Sequence, residues 1–145
     1  MRRRVRGGLV LLAAVLLAGC GGGAASNHDR PFATYDRTPD EDGNYVFPGA
    51  GLSGRLILVD GCLYVDAPER WLPIFPHDID WDPATKILSL HPDFGSVQVG
   101  QQVTLGGGAV TLSDPDSYQL PPACEVPDSD HGARAWMVGT LGVLS

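Results

Sequence analysis

Asp78, Asp80 and Asp82 stand at alternate positions, with His77 directly before them. Carboxylate oxygens at that spacing could begin a calcium loop. An EF-hand would then require glycine at the sixth place and glutamate at the twelfth, where the chain has Pro83 and Ser89. Strand alternation explains the same spacing without a metal: Ile79 and Trp81 turn inward while the acids face water. No metal is therefore assigned, and these three aspartates mark only where one would bind. Asp128, Asp130 and His131 form a second polar cluster. Zinc needs three or four converging ligands, and His77, His91 and His131 are scattered along the chain. That cluster reads as a solvated loop.

Gly49-Ala50-Gly51-Leu52-Ser53-Gly54 spells a dinucleotide fingerprint. The motif works only between a strand and a helix, whose N-terminus meets the pyrophosphate. Here Pro48 precedes it and the β-rich run from Arg55 follows, so the glycines are expected to open a strand. Ser53 is not set in a nucleophile elbow. Without a recognisable nucleophile, cofactor motif or metal set, the chain is expected not to be an enzyme. Trp71, Phe75 and Trp81 are the candidate contact surface, because Pro73 and Pro76 would leave backbone groups unpaired around them.

The elements that must carry these residues are short strands. Gly54 to Val59 and Cys62 to Val65 flank Asp60-Gly61, the strongest short-range hairpin signal. Trp71 to Phe75 is extended, with Pro73 pointing to an edge or a bulge. Further strands are expected at Lys86–Leu90, Val97–Val99, Gln102–Leu105, Ala109–Leu112 and from Ala135. A loop rich in proline and aspartate fills about 113–130. No segment after the first 20 residues has a sustained helical period. The expected fold is all-β, a small barrel or sandwich of about 6–8 short strands.

The beginning of the chain carries an address. Arg2, Arg3, Arg4 and Arg6 precede the apolar run Leu9 to Leu17, the pattern of a secretory signal. The run is too short for a membrane span, which takes about 20 apolar residues. Leu17-Ala18-Gly19-Cys20 resembles the lipobox of bacterial lipoproteins. The resemblance implies cleavage before Cys20, a diacylglyceryl group on its thiol, and anchoring to a membrane by acyl chains. Residues 1–19 are then a signal peptide, 20–44 a lipidated flexible tether rich in glycine and acids, and 45–145 the domain. The tether would hold that domain roughly 25–30 Å from its anchor.

Cleavage removes four arginines and no acid, leaving six basic against 17 acidic side chains, a net charge of −11. Such a domain repels nucleic acid and anionic head groups. Cys62 and Cys124 remain, an even pair in an oxidising compartment. They point to a disulfide closing a 62-residue loop, two buried thiols being the alternative.

The run Gly54-Arg55-Leu56 with Asp60-Gly61-Cys62-Leu63, then Leu72 to Pro76 with Trp81, Val103 to Gly108, and Cys124 with Trp136, is similar to a group of small exported domains of high-GC bacteria. The resemblance spans about residues 50–140 and implies a small β-barrel with paired cysteines. It adds no catalytic residue and no cofactor. The expected function is a non-catalytic module on the extracytoplasmic side, binding an envelope protein or a cell-wall component. An accessory subunit of an envelope complex and a small metal-dependent enzyme are the alternatives.

Overall fold

The computed structural model describes residues 30–90, 95–112, 118–128, 132 and 134–143. Nine strands follow one another in it: β1 (Ala33–Tyr35), β2 (Ala50–Val59), β3 (Cys62–Asp66), β4 (Arg70–Pro76), β5 (Asp80–Asp82), β6 (Ile87–Ser89), β7 (Ser96–Gln98), β8 (Gln102–Val110) and β9 (Ala135–Val143). There is no helix among the described residues, so the expected all-β class holds.

The β2–β3 hairpin turns at Asp60-Gly61 with φ of 49° and 86°, the left-handed pair a two-residue type I′ turn demands. Antiparallel pairing continues from β3 to β4, from β2 to β8 and from β8 to β9, and β9 closes on β4 in parallel. The ring β2-β3-β4-β9-β8 is a five-stranded closed barrel. Its order, with the last two strands exchanged and the third and fifth parallel, is that of an OB-type Greek-key barrel. The meander β5-β6-β7 is inserted between its third and fourth strands.

Alternation divides the ring's side chains between two cores. Leu52 and Leu56 of β2, Leu63 and Val65 of β3, Phe75 of β4, Val103 and Leu105 of β8, and Trp136 and Val138 of β9 fill the interior. Ile79, Leu88, Leu90 and Val97, from the meander and its flanks, join that cluster. The outward residues of β3, β4 and β9 are buried as well. Tyr64, Leu72, Ile74 and Ala135 form a second cluster with Ala33 and Tyr35 of β1 and with Cys124. The Cys62–Cys124 disulfide, with Cα atoms 5.1 Å apart, fastens the 118–128 segment over this outer face.

Three expectations change. Residues 32–35 lie within the stretch read as a tether, yet Phe32 and Ala33 are fully buried and β1 runs parallel to β4. Thr34 also exchanges backbone hydrogen bonds with Gln119, so the packed domain begins well before residue 45. Pro73 is inside the sheet and not at its edge. The Leu72 N–H turns to Arg134 on the β9 side, so the Pro73 nitrogen faces the other side. There β3 pairs as far as Trp71 and β1 begins at Ile74, and the missing N–H falls in the gap. The two strands expected at 102–105 and 109–112 are one, β8, running through Gly106 to Gly108 with a register shift against β9.

Candidate functional site

The site begins with an acidic turn. Asp40 Oδ1 accepts hydrogen bonds from the N–H groups of Asp42 and Asn44 at 3.0 and 2.8 Å. The Asp40 N–H donates to the Asn44 carbonyl at 2.8 Å, and Gly43 donates back to Asp40 at 3.0 Å. This closed turn reverses the chain and lays Tyr45-Val46-Phe47-Pro48 as a strap across β9 and β8. Glycine makes the approach possible. A Cβ on Gly139 would overlap the Phe47 ring, and one on Gly108 would lie 2.7 Å from the Pro48 ring.

Between the strap and β1 opens a cleft of about 180 Å³, lined by Tyr35, Asp36, Arg37, Thr38, Tyr45, Val46, Phe47 and Met137. The Arg37 side chain is only 8% exposed and pairs with Asp78. Its guanidinium carbon lies 4.1 Å from the centre of the Tyr45 ring, a cation–π contact that stabilises by about 1 kcal/mol. Phe47 stacks beside Tyr45 with ring centres 6.3 Å apart. The Tyr35 hydroxyl donates to the Val138 carbonyl at 2.8 Å, and burial pushes its phenol up to about 12. At the rim, His77 Nδ1 and Asp36 Oδ1 are 3.2 Å apart. Asp36, Asp40, Glu41 and Asp42 all face solvent.

A second recess of about 170 Å³ lies beside the β2–β3 hairpin, between Asp60, Tyr64, Arg70 and Glu125. Its walls are tied together. The Tyr64 hydroxyl is 3.0 Å from both the N–H and the carbonyl of Glu125, next to the disulfide.

The sequence-derived candidates fall elsewhere. Asp78 is engaged by Arg37. Asp82 accepts from the Ala84 N–H and the Thr85 hydroxyl at 2.9 and 2.7 Å, which caps the turn into β6. Those bonds, the Thr85 hydroxyl first, hold its carboxyl below the usual range. Asp80 is exposed on β5. The three acids therefore do not converge, and among the described residues no group of three or more His, Cys, Asp or Glu could hold a metal. His91, His131 and Cys20 lie outside the described residues.

The aromatic contact surface needs correction. Phe75 is fully buried, edge-on to Phe32 at 5.3 Å. Trp81 meets the same Phe32 ring at 6.1 Å, and Trp71 packs edge-on against Trp136 at 5.8 Å. Phe75 is thus interior packing, whereas the two tryptophans lay one side against the barrel cluster and keep the other in water. Ser53 lies on β2 with its hydroxyl 3.0 Å from that of Thr104. A Cβ on Gly54 would sit 2.7 Å from the Asp66 carbonyl oxygen, so the glycine of the apparent fingerprint serves close strand packing.

Arg37, Tyr45 and Phe47 were not among the sequence candidates. The available signal was the apolar run Tyr45-Val46-Phe47 directly after an acidic stretch, with no alternation to make it a strand. Comparison with known proteins gave no matching family model, no matching curated protein and no matching solved structure.

Proposed function

We propose that the chain is an exported lipoprotein, anchored through lipid on Cys20, whose barrel is a non-catalytic module binding an envelope partner at the strap cleft. The observation that carries this reading is the exposure of the strap. Val46 is 81% and Tyr45 41% exposed on the cleft rim, while the rings on either side of Val46 are held in place by Arg37 and by Gly139. Apolar side chains kept in water on a fixed support mark contact surfaces. The disulfide agrees with an oxidising compartment.

Nucleic acid is a poor fit. OB barrels bind oligonucleotides over their second and third strands. On this chain the corresponding face, β3 and β4, is covered by β1 and the 118–128 segment. Fold alone assigns no ligand, and the surviving surface is acidic.

The experiment is in-cell photo-crosslinking from position 46, comparing the wild-type anchor with Cys20→Ser. A partner recovered only from the anchored form is the expected result. Absence of any specific adduct from both forms would overturn the reading.

A further inference from the structure

We infer that the strap cleft takes an extended protein segment in which basic residues flank an apolar side chain, an assignment that rests on the binding-module reading above. The charge of the rim selects the partner. Among the described residues that line the cleft Arg37 is the one cation, and its charge is committed to Asp78 beneath the Tyr45 ring. Asp36 lines the cleft and lies 3.2 Å from His77, and the exposed Asp40, Glu41 and Asp42 sit in the turn that joins the lining residues Thr38 and Tyr45. An incoming anion would meet Asp36, the acidic turn beside it and a guanidinium already paired with Asp78, whereas a cation would be attracted by the same carboxylates.

The interior of the cleft selects an apolar group. Tyr35 has its hydroxyl turned away to Val138, and Phe47, Met137 and the rim residue Val46 add apolar side chains, while Asp36 and Thr38 supply the polar part of the wall. About 180 Å³ accommodates one aliphatic or aromatic side chain. Sugars fit less well, because they stack on open aromatic faces. One face of Tyr45 is occupied by Arg37 and Phe47 is pressed onto Gly139. Anionic lipid is repelled by the same rim that attracts lysine.

The test uses the full chain in detergent and a short amidated peptide with a central Leu-Phe pair flanked by lysines. Two further peptides replace the lysines by glutamate or the Leu-Phe pair by serine, and soluble cell-wall fragments form a fourth arm. Fluorescence anisotropy should show saturable binding of the first peptide only. Val46→Ser should weaken it about tenfold, as expected for losing one buried aliphatic contact. Glu41→Gln with Asp42→Asn should weaken it about threefold and flatten its salt dependence. These three side chains carry no packing or capping role, so the variants keep the fold. Equal binding of the glutamate peptide, unchanged affinity in both variants, or preference for the cell-wall fragments would overturn the assignment. A crosslinked partner from position 46 without peptide binding would remove this segment chemistry alone. Failure of both experiments would remove the module reading with it.

Discussion

Replacing Cys62 and Cys124 together by alanine removes the clamp that holds the 118–128 segment over β3 and β4. The bridge closes a loop of 62 residues. On the chain-entropy relation its loss releases about 14 cal/mol/K to the unfolded ensemble, or about 4 kcal/mol at 25 °C. Its Cα separation of 5.1 Å lies inside the normal span, so no backbone shift offsets that value. Alanine is chosen because both sulfurs are buried with Tyr64, Leu72 and Ile74, where a serine hydroxyl would add its own desolvation cost. For a domain of about 115 residues, 4 kcal/mol corresponds to a fall in Tm of roughly 15–20 °C. The assay is guanidinium unfolding of the oxidised protein and the double variant, read by tryptophan fluorescence. The variant should lose about 4 kcal/mol and show a steeper m-value, because its unfolded state exposes more surface. A loss below about 1 kcal/mol would refute the reasoning. It would mean that the unfolded chain already keeps residues 62 and 124 close without the covalent bond.

Gly139→Ala should destabilise the fold by about 1–3 kcal/mol through overlap with Phe47. Adding Phe47→Ala should recover part of that loss in a double-mutant cycle of chemical denaturation. Tyr35→Phe should cost about 1 kcal/mol by leaving the Val138 carbonyl without its donor. The raised Tyr35 pKa stabilises the fold fully below pH 10, and this contribution is lost as pH rises from 10 to about 12. An alkaline unfolding slope that Tyr35→Phe abolishes, followed by tyrosinate absorbance, is the expected outcome. The lowered Asp82 pKa acts in the opposite direction. Its contribution is present above the ordinary carboxylate range and disappears as acid protonates the folded carboxyl. Thr85→Ala should move the Asp82 titration, followed by NMR, back toward that range.

Where local chemistry decides structure, it was legible. Asp60-Gly61 demanded a two-residue turn and made one, and the alternation around Asp80 placed Ile79 in the core with the acid in water. The cysteine pair was readable because an even pair of cysteines behind a secretory pattern is expected to join, as Cys62 and Cys124 do. Tertiary contacts decided the rest. β1 has three residues in an acidic surround and exists because β4 offers a parallel edge and Phe32 finds the barrel cluster. Three consecutive glycines read as a break in β8. They are tolerated in a strand because Pro48 crosses over one of them and the backbone of β9 approaches another. The cleft has no signature in the sequence for a related reason. Arg37 and Tyr45 meet only because the Asp40 turn folds the chain back, and neither residue type alone distinguishes a wall from a linker. Prolines on either side of Phe75 point to a surface position, yet the strand gap at Pro73 leaves the sheet intact and the ring inside.

The barrel ring is closed by its final strand. β9 joins β8 on one side and β4 on the other, so strands β2, β3 and β4 form an open, curling sheet until residues past 135 are present. A chain made N-terminus first acquires this closing strand after the other eight. Long-range closure of this kind is slow compared with local pairing. Until it arrives, the interior leucines of β2 and β3 have no wall to seal them in. The strand order that completes the core is thus also a delay, holding the barrel open until residues 135–143 have joined β8 and β4.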